Sequence, residues 1–139
     1  MILGIGVDIV EIKRIKVIVE KNRSFLYKIF NEEEIEYFEK RMFRPEYIAG
    51  SFAAKEAVAK ALGTGFRSFG FKDIIITRNA LGKPEVTLLG MAKEIALQKG
   101  EYIFHLSISH GQDSAIAYAV IEGMWGGSSS EETKKGELL

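Results

Sequence analysis

The chain has 139 residues, 47% of them hydrophobic and 27% charged, enough to bury one core and short for two. Two prolines and no cysteine exclude wholesale disorder on one side and any disulfide, thiolate metal site or cysteine nucleophile on the other. Nineteen basic side chains against nineteen acidic ones argue against a general nucleic-acid binder, and the longest apolar run, Ala115 to Ile121, has 7 residues where a membrane-spanning helix needs about 18 or more.

The opening ILGIGVDIV alternates, with Leu3, Ile5, Val7 and Ile9 on one face and Ile2, Gly4, Gly6, Asp8 and Val10 on the other. Residues 2 to 10 are therefore predicted to form a strand with one crowded and one bare face. Asp8 inside the apolar stretch, with no basic leader before it, marks a strand of a mature cytoplasmic protein rather than a secretion signal. From Glu11 the period lengthens, and Ile12, Ile15, Ile18 and Val19 form the apolar stripe of a first helix running to about Lys21. Asn31 then opens NEEEIEYFEKR, where Glu34 three residues on makes a capping box for a second, shorter helix. Residues 12 to 28 hold six bases against one acid, Glu20, while residues 31 to 39 hold five acids and no base. The plainer reading of these two runs is a pair of solvated helix faces.

Pro45 suits a first helical turn and Gly63 a C-terminal stop, so residues 45 to 62 are expected to be a long central helix. After the connector GTGFRSFG, the segments KDIIITRN and KPEVTLL flank the turn residues Asn79 to Gly82 and read as a hairpin. Residues 90 to 99 read as a helix closed by Gly100, and YIFHLSISH and SAIAYAVIE as a second hairpin around Gly111 to Asp113. The fold class expected is α+β, an antiparallel sheet built from hairpins packed on the long central helix. Residues 1–122 form the expected domain and 123–139 a flexible tail rich in Gly, Ser and charge, apart from Met124 and Trp125.

Two acids break the pattern. Asp8 sits mid-strand among apolar residues, where a carboxylate loses hydration and needs a cation or donors. Gly4 and Gly6 on the same face leave room either for a ligand or for the close approach of another backbone; the plain alternative for Asp8 is satisfaction by backbone N–H groups of the next helix. Glu56 lies on the small, apolar face of the central helix, four residues after Phe52 and three before Ala59. Its partner is either Lys60 at i+4 or a cation outside the helix, and an i,i+4 pair worth about 0.3–0.5 kcal/mol does not offset carboxylate burial. Two inward carboxylates suit a hard divalent cation such as Mg²⁺ that also keeps water and substrate phosphates, and Lys60 lies within reach of such a phosphate. His110 ends a strand before a tight turn, on the opposite strand face from His105, so these two do not make one metal site. No HExxH, P-loop or GxGxxG pattern is present.

With these residues in view, the chain resembles the small bacterial 4'-phosphopantetheinyl transferases, the holo-(acyl carrier protein) synthases, over residues 1 to about 122. The resemblance rests on GIGVDIVEIKRI (4–15), FAAKEAVAKALGTG (52–65), LGKPEV (81–86) and SISH with AIAYAVIE (107–122), four motifs in the family's order. It implies transfer of phosphopantetheine from coenzyme A to a serine of apo acyl carrier protein, dependent on Mg²⁺, in fatty acid biosynthesis, with release of adenosine 3',5'-bisphosphate. The resemblance places the metal on Asp8 and Glu56, coenzyme A phosphate on Lys60, and further coenzyme A contacts on Lys83, Pro84 and His110. It assigns Glu56 and Lys60 to catalysis, leaving open whether Glu56 or a water on the metal takes the serine proton. It also implies a homotrimer with each coenzyme A site at a subunit boundary. The basic first helix would dock the acidic carrier through Arg14, away from the metal pair, with Lys13, Lys21 and Arg44 in support. The competing readings are a non-catalytic module that recruits an acidic protein, and a nucleotide hydrolase using the same two carboxylates. No nucleic acid or membrane partner is expected.

Overall fold

The structure is a computed structural model and describes residues 1–124. In chain order it contains β1 (Ile2–Glu11), α1 (Ile12–Lys21), α2 (Ser24–Ile29), α3 (Glu32–Glu39), α4 (Pro45–Ala61), a 3-10 turn (Phe71–Asp73), β2 (Ile74–Arg78), β3 (Pro84–Leu88), α5 (Gly90–Gln98), β4 (Tyr102–His110) and β5 (Ser114–Gly123). Both predicted hairpins form. They do not join into one sheet: β1, β5 and β4 make a three-stranded antiparallel sheet in that order, and β2 with β3 makes a separate two-stranded one. β5 is central because β1 pairs along one of its edges and β4 along the other, Val7 opposite Tyr118 and Ser107 opposite the same residue from the other side.

The elements begin and end where local chemistry dictates. Pro45 occupies the first turn of α4, where its missing N–H is not needed. Glu34 accepts the Asn31 backbone N–H at 2.8 Å, which is the expected capping box of α3. Asn79 Oδ1 accepts from the N–H groups of Leu81 and Lys83, and Gly82 takes φ +86°, closing the β2–β3 turn. Helix α2 is an addition to the expected elements: its six residues are too few to show a period, and it is held by Leu26, which is fully buried. At the far end, Gly123 is the last residue of β5 and pairs with Tyr102, and the Met124 N–H donates to Glu101 O, so the structured body extends past residue 122. The remainder of the segment expected as a tail lies outside the described residues.

Helix α4 is the spine. Its small residues, among them Ala53, Ala54, Ala57 and Ala61, face the inner surface of the three-stranded sheet together with Ala117, Ala119 and Ile121. A second core gathers α1, α2 and α3 around Leu26, Phe30, Phe38 and Ile48. The bare face of β1 is the one that meets α4. A Cβ built on Gly4 would lie 2.0 Å from the Ala61 carbonyl oxygen, and one on Gly6 would lie 2.0 Å from that of Ala57. Of the two uses open to these glycines, the close approach of another backbone is the one realised. From Ile5 onward the crowded face of β1 points outward, with Ile5 57%, Val7 45% and Ile9 66% exposed, while Leu3, beside the register shift between Ile2 and Gly4, packs on the core.

Candidate active site

The contact of β1 with α4 sets the site. Gly4 meets the turn of Ala61 and Gly6 the turn of Ala57, four helix residues apart. Two strand residues advance about 6.6 Å and four helix residues about 6 Å, so the two elements keep step. The next residue on that strand face, Asp8, therefore arrives beside the next turn, the one that carries Glu56. Both carboxylates line one cavity of about 330 Å³, together with Arg14 and Ile18 of α1, Phe25 of α2 and Phe52 of α4. The cavity thus has an acidic end where strand and helix converge and an apolar wall contributed by three helices.

The electrostatics of that end are unbalanced. Desolvation first, and the neighbouring Asp8 carboxylate second, push the Glu56 pKa up, with Lys60 working in the opposite direction. Lys60 is the one base paired there: its Nζ donates to Asp8 Oδ1 at 3.2 Å and to the Val7 carbonyl at 2.9 Å. The i,i+4 neighbour of Glu56 has therefore turned to the strand, and Glu56 itself makes no ion pair among the described residues. The plain alternative for Asp8, capping by the following helix, is not what its side chain does. Two carboxylates with one ammonium, bound to Asp8 alone, fit a hard divalent cation that completes its shell with water and phosphate oxygens.

The other expected site residues fall into three places. Arg14 lines the cavity of Asp8 and Glu56, which corrects the expectation that it lies away from the metal pair: one turn into α1, it faces back over the end of β1. Lys13 and Lys21 are exposed elsewhere on α1, and Arg44 is the exposed residue that precedes α4. Lys83, Pro84 and His110 do not line that cavity within one chain. Lys83 and Pro84 begin β3, and His110 ends β4 with its ring 6.0 Å from Tyr47. His105 is separate, its Nε2 lying 2.9 Å from Glu122 Oε1.

Three groups of consequence escaped the sequence reading. Glu34, expected on a solvated face, is 2% exposed, and Lys55 is fully buried against it, Nζ to Oε1 2.9 Å. Desolvation raises the Glu34 pKa and lowers that of Lys55, each opposed by the charge of the other. The third group is a basic and aromatic cluster: the Arg41 guanidinium lies 3.9 Å and that of Arg78 4.6 Å from the Tyr37 ring centre. Neither arginine forms an ion pair among the described residues, and Arg78 Nη1 is buried with no hydrogen-bond partner. The residues are 31 or more positions apart at their extremes, Arg78 from Tyr37 and Tyr47, so no local pattern announces the cluster.

Comparison with known proteins agrees with the motifs. Holo-[acyl-carrier-protein] synthase of Clostridium novyi is 62% identical over 122 residues, 88% of each chain. The crystal structure of holo-[acyl-carrier-protein] synthase from Neisseria meningitidis superposes with a TM-score of 0.78 at 42% identity, covering 88% of this chain and 99% of that one. The Helicobacter pylori holo-[acyl-carrier-protein] synthase, solved in complex with coenzyme A, superposes with a TM-score of 0.73 at 33% identity over 85% of this chain and 99% of that one. Residues 4–119 match the 4'-phosphopantetheinyl transferase superfamily, and with the fold in agreement, the chain belongs to that superfamily.

Proposed function

We propose that this protein transfers the 4'-phosphopantetheine group of coenzyme A to a serine of apo acyl carrier protein, with Mg²⁺ held by Asp8 and Glu56, in fatty acid biosynthesis. The observation that carries the reading is the shared cavity: two carboxylates from β1 and α4 meet Arg14 of the basic helix and an apolar wall. The chemistry that a bound Mg²⁺ supplies there is neutralisation of the charge on the diphosphate as it leaves. Lys60, already beside Asp8, is placed to hold a phosphate oxygen next to the carboxylates. The serine oxygen attacks the β-phosphorus, a new P–O bond forms, and the bond to the bridging oxygen breaks to release adenosine 3',5'-bisphosphate. The serine proton passes to a base at the same site, either the Glu56 carboxylate or a water beside it.

The acidic carrier is read by the exposed bases of α1, with Lys13 and Lys21 as long-range guides, Arg44 in support, and Arg14 at the cavity mouth. The remaining coenzyme A residues, Lys83, Pro84 and His110, belong to this reading only if another copy of the chain brings them to the cavity. The outer face of the three-stranded sheet supports such assembly. Ile5, Val7 and Ile9 of β1 lie beside Ile116 and Tyr118 of β5, all between 42% and 66% exposed, and a contiguous apolar surface of this kind marks an interface. A homotrimer closed through this face supplies the missing residues from a neighbour. Arg41 and Arg78 add guanidinium groups without carboxylate partners on the same side as His110, suited to the phosphates of coenzyme A. Dependence on coenzyme A and the fatty-acid carrier puts the protein in the cytoplasm, and no helix of the described residues is long and apolar enough to cross a membrane.

The test is a mass measurement. Apo acyl carrier protein incubated with this protein, coenzyme A and Mg²⁺ is expected to gain one phosphopantetheine. No gain on a carrier that a known synthase modifies refutes transfer, and release of adenosine 3',5'-bisphosphate without carrier points to hydrolysis instead.

A further inference from the structure

We propose that Lys55, locked against Glu34, is the positioning residue of the metal site: it sets the rotation of α4 and so aims the Glu56 carboxylate at Asp8. The inference rests on the function proposed above and adds a residue pair that does not touch the cavity. Lys55 Nζ donates to Glu34 Oε1 at 2.9 Å, to the Phe71 carbonyl at 2.9 Å and to the Ile74 carbonyl, which uses every proton it has. Glu34 is equally occupied: Oε1 also takes the Asn31 N–H and Oε2 takes the Ile76 N–H at 2.8 Å. One buried ion pair thus fastens α4 at once to the start of α3, to the 3-10 turn and to β2.

Stability alone gives little reason for it, since a buried ion pair is commonly replaced by apolar side chains of like volume without loss. Orientation gives a better one. Ridges of large side chains normally fix how a helix sits in its grooves, and α4 meets β1 through Ala57 and Ala61 against Gly6 and Gly4, a contact without such ridges. A directional lock supplies what the packing lacks. Glu56 follows Lys55 directly in α4, so any rotation of the helix at the lock reaches its carboxylate in full. Side-chain tips lie about 5–6 Å from a helix axis, so a 10° turn carries a carboxylate roughly 1 Å, a displacement of the size that costs about a hundredfold in rate at a reacting centre. The second bond acts on the cavity too: the Phe71 ring stacks at 5.4 Å and 22° on Phe52, which lines the cavity with Asp8 and Glu56.

The test uses the full chain and Mn²⁺ as a paramagnetic substitute for Mg²⁺, with binding read by electron paramagnetic resonance and transfer read by carrier mass. The double variant Glu34→Leu with Lys55→Met removes both charges, so neither partner is left buried alone. It also leaves the Asn31 and Ile76 N–H groups and the Phe71 and Ile74 carbonyls without these partners, so it is expected to melt lower than the parent while staying folded at the assay temperature, to bind Mn²⁺ at least tenfold more weakly, and to lose at least tenfold in kcat with KM for the carrier unchanged. Glu34→Asp keeps the charge and the cap and shortens the arm by one methylene. It is expected to move both readouts in the same direction by at least threefold, and it decides the question should the double variant not fold. Folded variants with parental Mn²⁺ affinity and kcat overturn the proposal and leave the pair a purely structural one. Glu56→Gln serves as the reference: if it binds Mn²⁺ as tightly as the parent, the metal assignment itself fails and this inference with it, whereas loss in Glu56→Gln with retention in the Glu34 and Lys55 variants overturns the positioning role alone.

Discussion

Replacing Gly6 by alanine puts a methyl group into the backbone of α4. The new Cβ would lie 2.0 Å from the Ala57 carbonyl oxygen, 2.8 Å from the Ala61 nitrogen and 2.9 Å from Lys60 Cβ, where ordinary contact begins at 3.4 Å. The shortfall of 2.0 Å against 3.4 Å is about 1.4 Å, and two of the three obstacles are backbone, which no rotamer change relieves. Strand and helix must therefore separate by more than 1 Å. Overpacking costs about 1–3 kcal/mol, and a clash against backbone on this scale belongs at the top of that range, so a loss of roughly 3 kcal/mol is expected. For a domain of this size each kcal/mol moves Tm by about 3–4 °C, which makes the expected drop about 10 °C. The same displacement opens the gap between Asp8, two residues along the strand, and Glu56 on the helix, so carrier modification is expected to fall about a hundredfold even below the new Tm. Thermal melts and initial rates of carrier modification at 20 °C, with Gly70→Ala as control because its Cβ meets nothing within 4 Å, make the comparison. A Gly6→Ala protein that melts within about 2 °C of the parent and keeps half its rate or more refutes the account of how the two carboxylates are brought together.

Three further outcomes are expected. Because burial and Asp8 raise the Glu56 pKa, its contribution to stability is full below the ordinary glutamate value of about 4.3 and is lost as pH rises through the raised folded value; the metal-free protein should lose thermal stability over that interval, Mg²⁺ should restore it, and Glu56→Gln should abolish transfer and flatten both effects in a melting series across pH. Lys21→Glu, exposed and outside the cavity, should raise KM for the carrier severalfold with KM for coenzyme A unchanged and with the effect shrinking above about 0.15 M salt, whereas Arg14→Glu, inside the cavity, should raise both; steady-state kinetics separate the two. Val7→Asp on the outer sheet face should leave a folded monomer with little transfer, which light scattering and the mass assay detect together, and an unchanged assembly state counts against the trimer.

The fold was readable in the sequence because its signals are local. Alternation, the 3.6-residue period, Pro45, Gly82 and the Asn31–Glu34 box each act within a few residues, and they located four of the five helices and all five strands. Asp8 and Glu56 stood out for the same reason: a carboxylate in an apolar pattern is a local contradiction. What remained hidden depends on partners far along the chain. Alternation shows that the two faces of β1 differ but not which faces the core, and only α4, more than 40 residues on, decides that the glycine face turns inward and the isoleucines outward. Glu34 looks like one acid among five until Lys55, 21 residues later, buries it. Arg14 has the sequence of a solvated helix base, and it faces Glu56 only because α1 folds back across the end of β1 and over α4. In each case the residue type was visible in one dimension, while its solvation was settled by what the tertiary structure laid against it, and solvation decides whether a charge is surface, lock or ligand.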